Sequence, residues 1–271
     1  ANRYLHGEGI EIGALHFPLH VPETAHVRYV DRLSAEDLRR HYPELEDKAI
    51  VDPDIIDDGE TLSTIEDGSL DFIIANHMLE HCENPLGTMR QHFTKLKEGG
   101  VIYYAVPNKH FSFDESRHIT QFDELVFDDL HGPEGSRVMH FREWVTHVCG
   151  LKGEAALKEL ERLLEINYSI HFQVWDYPSF FEFVHRANAY LGHPYEVLAL
   201  EMNHTELILV ARKTAANASA HREDPTAPIW THLTQHIHHW WMEPYYWLLV
   251  REFPMKAALI KLYRSLKALR S

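Results

Sequence analysis

The chain has 271 residues, enough for one large domain or one domain with an appendage, and its 45% apolar content suits a soluble globular chain that buries a core. Its formal charge of −15 is uneven: residues 226–271 carry six Lys/Arg against two Asp/Glu, which leaves −19 on the rest. An acidic body argues against a nucleic-acid groove, which needs cations to displace counterions, and two cysteines, Cys82 and Cys149, exclude a disulfide framework or a four-cysteine zinc knot.

No apolar run is long enough to cross a bilayer and no signal peptide is visible, so a reducing, cytoplasmic setting is expected. The chain opens almost directly on its first strand, which leaves room for missing residues upstream. Residues 9–14 read as a short buried strand ending at Gly13, and residues 27–31 as a second ending in Asp31. Ser34 caps a short helix over 35–41. Residues 50–57 form a third strand with a proline inside, and 70–75 a fourth that turns abruptly polar. Asn84 and Pro85 start a helix that runs to Leu96 and is stopped by Gly99-Gly100. Residues 101–106 are a fifth buried strand. Residues 108–150 lack clean periodicity and read as a long loop with short helices. A helix over 153–166, a strand over 170–175, a helix over 178–191 and a strand over 205–212 complete the body. Alternation at this spacing predicts a mostly parallel, doubly wound α/β sheet flanked by helices, with an antiparallel edge.

The expected domains are residues 1–213, a linker over 214–228 and a helical C-terminal extension over 229–271. The glycosylation triplet at Asn217 is read as chance. Met255, Leu259, Leu262, Leu266 and Leu269 share one helical stripe, with five Lys/Arg and no acid beside it. The first reading is a helix packed on the body or on a twin subunit, hence a homodimer. The second is peripheral contact of residues 254–271 with an anionic membrane.

Four acid- or polar-tipped strands follow in order: Glu11-Ile-Gly13, Asp31, Asp58 after the third strand, and Asn76-His77 at the end of the fourth. With Leu96-Lys-Glu-Gly-Gly100 and Leu79-Glu-His81, this order resembles the class I S-adenosylmethionine-dependent methyltransferases over residues 7–213. The resemblance implies their Rossmann-like fold. It implies cofactor contacts from Glu11, Gly13, Ala14, Asp31, Arg32, Asp58, Asn76 and His77. Asp31 would hold the ribose hydroxyls and Asp58 the adenine amino group. After Gly13, Ala14-Leu-His-Phe-Pro18 replaces the family's glycine-rich loop. No G-x-G-x-x-G is present, so a dinucleotide reading is weaker. Each residue also has an ordinary reading, Gly13 as a turn glycine and Asp31 as a strand-end acid.

His77-Met-Leu-Glu80-His81 would put three polar side chains on one helical turn. It resembles the Glu-x-x-Glu-His segment of metal-dependent methyltransferases of the ubiquinone pathway and of small RNA, with His replacing the first Glu. That resemblance implies a metal set of His77, Glu80, His81 and His140, suited to Zn, Mn or Fe more than Mg. The alternative is that His81 supports the loop and His77 packs on cofactor. His81, His110 and His140 are candidate catalytic bases, Arg117 and Arg142 candidate anion holders, and His171 a further candidate base. The expected activity is methyl transfer from S-adenosylmethionine to an oxygen of a small-molecule or glycan acceptor. Rival readings are a non-catalytic ligand-binding module on the same fold and a metal-dependent hydrolase using H-x-x-E-H; the latter needs a long helix that Asn84-Pro85 interrupts.

Overall fold

The computed structural model describes residues 1–42 and 47–215. The chain divides into two units, Ala1–Glu223 and Asp224–Ser271, and every described residue belongs to the first. Nearly all of the expected linker, the expected helical extension and the stripe of residues 254–271 with its two readings therefore lie outside the described residues.

Seven strands form one sheet: β1 (Gly7–Ile12), β2 (Ala25–Asp31), β3 (Ile55–Ile56), β4 (Leu70–Asn76), β5 (Leu96–Pro107), β6 (Tyr195–Asn203) and β7 (Glu206–Lys213). Their spatial order is β3-β2-β1-β4-β5-β7-β6. The first five are parallel, and β7 runs antiparallel to β5 and β6. This is the expected Rossmann-like class I methyltransferase fold. The strand order reverses between β1 and β4, and open parallel sheets bind ligands at the strand tips beside such a reversal.

The apolar run of β4 fixes its central place: Phe72, Ile73, Ile74 and Ala75 are fully buried, each large side chain contributing about 1.5–3 kcal/mol of transfer free energy. The helices are α1 (Ala35–His41), α2 (Pro85–Lys95), α3 (Phe122–His131), α4 (Glu134–His147), α5 (Gly153–Glu165) and α6 (Tyr177–Tyr190). Asn84 caps α2 by accepting from the Gly87 N–H at 2.8 Å, with Pro85 in its first turn. A separate cluster of Phe141, Trp144 and Val145 from α4, Leu160 and Leu163 from α5, and Ile170 and Phe172 forms a second core.

Five expectations change. The third strand shrinks to Ile55–Ile56 because Pro53 interrupts the approach. Helix α2 ends at Lys95, and the glycine pair lies inside an irregular start to β5; a Cβ on Gly100 would meet the Leu70 carbonyl oxygen at 3.1 Å. Residues 108–150 contain two full helices, α3 and α4. Strand β6 is an addition, joined to β7 by a tight turn in which His204 has φ 43°. Residues 170–175 form no sheet strand: Phe172 and Gln173 donate to the Glu80 carbonyl at the β4 tip, Val174 pairs with Thr120, and Trp175 makes only an isolated bridge to Asn108.

Candidate active site at the strand tips

At the β1 tip, Gly13 has φ +67°, and a Cβ built there would meet nothing within 4 Å. Its N–H donates to the Val30 carbonyl, so the tips of β1 and β2 stay side by side. Asp31 is half-buried and accepts from the Leu33 N–H at 3.4 Å, and its carbonyl accepts from the Asp57 N–H, which brings the β3 loop alongside. Within that loop Asp57 is the structural acid: it accepts from Asp58 N–H, Ser63 and Thr64. Asp58 is exposed and accepts from the Glu60 N–H at 2.7 Å. His92 on α2 braces the same loop from beneath. It is fully buried, lies 2.7 Å from the Gly59 carbonyl and 2.6 Å from the Tyr104 hydroxyl, and burial pushes its pKa down to about 4. Because a carbonyl only accepts, Nε2 carries the proton and Nδ1 accepts from Tyr104.

Glu11, expected as a cofactor contact, is engaged within the chain. Its buried carboxylate accepts from the Leu19 N–H at 2.9 and 3.1 Å and so ties down the segment that replaces the glycine-rich loop. Burial raises its pKa to about 7 against that hydrogen bond. Ala14 is half-buried and closes a turn by accepting from the Phe17 N–H, and Arg32 is exposed, its guanidinium 3.5 Å from the Tyr42 hydroxyl.

At the β4 tip Asn76 ends the strand and His77 takes φ +50°, so the chain leaves the sheet sharply. The expected helical turn is absent; only Leu79–His81 forms a 3₁₀ turn, starting beyond His77. His77 points its Nε2 to Glu206 of β7 at 2.9 Å and has Nδ1 3.4 Å from Glu80. The Glu80 carboxylate beside it, with Glu206 beyond, raises its pKa to about 9.

Residues 169–175 lie across this turn as a strap. The N–H groups of Phe172 and Gln173 both donate to the Glu80 carbonyl, and the Gln173 side chain donates to the Cys82 carbonyl. His81 Nδ1 lies 2.9 Å from the Ile170 carbonyl, and His171 Nδ1 lies 2.7 Å from the Asp114 carboxylate. Asp114 is held in turn by Arg117 at 2.9 Å. Burial raises the Glu80 carboxyl, but the imidazoles of His77, His81 and His171 outweigh it and hold it below the usual range.

Among the described residues, the group whose ligand-type atoms come within 4.8 Å of one another is Glu80, His81 and His171. The metal set expected from sequence is thus only half assembled. His77 is drawn off toward Glu206. His140, on α4, has its ring against Phe172 at 5.8 Å, and burial pushes its pKa down to about 4. His110 is exposed in a short turn, 3.8 Å from Asp176. Arg117 is not an acceptor clamp: its fully buried guanidinium pairs with Asp114 and Glu143 and donates to the His171 carbonyl. Cys82 is buried and its thiol is pushed well up by burial. The residues whose structural part was not foreseen are Asp114 and Glu143, isolated acids within an aperiodic stretch.

Residues 34–245, well over half of the chain, match the sequence profile of a family described as "Methyltransferase domain". That match begins after β2, so Glu11, Gly13 and Asp31 precede it. No curated protein matches the chain. Among solved structures it is similar to the CurJ carbon methyltransferase, with 13% identity, a TM-score of 0.35 and coverage of 79% of this chain and 50% of that one. It is also similar to a SAM-dependent methyltransferase from Aquifex aeolicus, with 10% identity, a TM-score of 0.40 and coverage of 78% and 85%. A third is an arsenic(III) S-adenosylmethionine methyltransferase from Chlamydomonas reinhardtii, with 11% identity, a TM-score of 0.40 and coverage of 82% and 68%. The chain thus spans half the length of the first of these.

Proposed function

Because the chain belongs to the methyltransferase-domain family, we propose that it transfers a methyl group from S-adenosylmethionine to an oxygen nucleophile on a small-molecule or glycan acceptor. The observation that carries this reading is the row of adjacent tips: open backbone at Gly13, the Asp31 carboxylate on β2, and Asp58 in the loop bonded to β2 through Asp57. A carboxylate at the tip of the second strand suits two ribose hydroxyls. Missing side-chain bulk at Gly13 lets a nucleoside approach the backbone. S-adenosylmethionine supplies a methyl carbon on a positively charged sulfur, which an acidic rim attracts.

On the acceptor side, the buried histidines and Glu80 would orient the nucleophile and take up its proton. A divalent cation there would lower the pKa of an acceptor hydroxyl. The oxygen preference follows from that histidine-rich rim.

Calorimetry with S-adenosylmethionine tests the reading. We expect saturable one-to-one binding, weakened roughly 10–100-fold by Asp31→Ala, the loss of hydrogen bonds to a charged group. Absence of heat at millimolar ligand would favour a second reading, a non-catalytic module, for which the observation is that Glu11 is spent on tethering Leu19. Tritium transfer from labelled cofactor to hydroxylated small molecules and glycans then identifies the acceptor class.

A further inference from the structure

We propose that Glu80, His81 and His171 form a binding centre for one divalent transition-metal ion, in place of the four-residue set that the resemblance implies. Three observations meet there. The first is Glu80: the residue is 1% exposed, and its carboxylate oxygens have no hydrogen-bond partner beyond the long 3.4 Å ion-pair contact of Oε1 with His77 Nδ1. The same imidazole makes its shorter contact on its other nitrogen, Nε2, with Glu206 at 2.9 Å. A carboxylate buried with a single long ion-pair contact is left short of partners, and a bound cation would complete its surroundings.

The second is the state of the two rings. Nδ1 of His81 faces the Ile170 carbonyl and Nδ1 of His171 faces the Asp114 carboxylate. The Ile170 carbonyl and the Asp114 carboxylate accept, which places the proton of each ring on Nδ1 and the lone pair on Nε2; the Ser169 hydroxyl also lies 3.1 Å from His81 Nδ1. Metal-ligating histidines are oriented in this way, by an acceptor behind the ring. The support behind His171 is rigid, because Asp114 is locked by the fully buried Arg117, which also donates to the His171 carbonyl.

The third is convergence. One atom from each of the three residues lies within 4.8 Å of the others, and the two rings meet edge to face with centroids 4.7 Å apart. Two imidazoles and one carboxylate suit Zn, Fe, Mn or Co; magnesium favours an all-oxygen shell. Three protein ligands leave coordination positions open, which in a catalytic site take a substrate oxygen. The centre deepens the methyl-transfer reading, whose acceptor it would meet, but ion binding tests it independently.

The full chain, stripped with chelator, is titrated with Co²⁺ while the visible d–d absorption is followed, and Zn²⁺ retained after gel filtration is counted. One ion per chain is expected. Glu80→Gln, nearly isosteric, and His171→Gln should each weaken binding at least a hundredfold. Asp114→Asn should weaken it roughly 10–100-fold, as loss of an outer-shell partner does. His110→Gln should bind as the parent does. The idea is overturned if the parent retains no ion, since the cluster is then a metal-free set of ion pairs. It is equally overturned if Glu80→Gln and His171→Gln bind the ion as the parent does. Calorimetry with S-adenosylmethionine on Glu80→Gln keeps the two readings apart: lost cobalt with retained cofactor heat is the expected pair.

Discussion

The two halves of the strand-tip edge are built differently. Around β1, β2 and β3 the polar groups are on short local bonds: Asp31 to its own Leu33 N–H, Asp58 to its own Glu60 N–H, and Glu11 to Leu19 eight residues on. Around β4 and the strap they reach across the chain: His81 to Ile170, His171 to Asp114, Arg117 to Glu143. In the first half Asp58 is exposed and Asp31 half-buried, each held by a nearby backbone N–H; in the second Glu80, Asp114 and Arg117 are buried and organised by charge. A nucleoside needs an approachable edge with fixed acceptors, whereas a group that must hold a proton or an ion needs a dry surround in which electrostatic interactions are strong.

The sharpest way to break this contrast is to remove the charge from the second half. Arg117→Met leaves Asp114 and Glu143 facing each other without their cation, and we expect about 3–5 kcal/mol of lost stability in urea unfolding. A loss below about 1 kcal/mol would show that the network is not what orders the strap. A smaller effect belongs to the first half. Glu11 has its pKa raised from 4.5 to about 7, so the folded state holds a proton that the unfolded state has released. Its contribution is therefore present below pH 4.5 and lost as pH rises through 7, on the order of 3 kcal/mol in all. Glu11→Gln should flatten that slope in thermal unfolding between pH 4.5 and pH 8; an unchanged slope sinks the assignment. The smallest effect is expected at the rim. His118 is 87% exposed beside Glu143, and His118→Ala should leave the unfolding midpoint unchanged within error.

What was legible in the sequence follows the same division. Strands β4 and β5 are apolar runs with nothing to compete with them, and Asn84-Pro85 announces α2 through cap chemistry. Residues 170–175 look like a strand because Ile170, Phe172 and Val174 alternate, but His171 and Gln173 between them are buried as well. Two polar residues buried inside an apolar alternation need partners, and here Gln173 finds the Cys82 carbonyl beyond the β4 turn and His171 the Asp114 carboxylate, neither of them in a sheet. Strand β6 escaped notice because it is an edge strand with exposed Glu196, Glu201 and Met202, and its turn to β7 bends at His204 without a glycine. The pairing of His81 with His171 joins residues ninety positions apart in a contact only the fold supplies, whereas the His77 to His81 spacing promised a helical turn that the left-handed backbone at His77 prevents.

That left-handed residue also governs how mutational scans of the rim should be designed. Glycine at position 77 would delete the imidazole and, in the same stroke, relax a torsion that disfavours side chains by roughly 1–2 kcal/mol. The two contributions oppose each other, so a glycine variant would look deceptively mild. Asparagine, which visits this torsion region readily, isolates the ring's contribution from the backbone's.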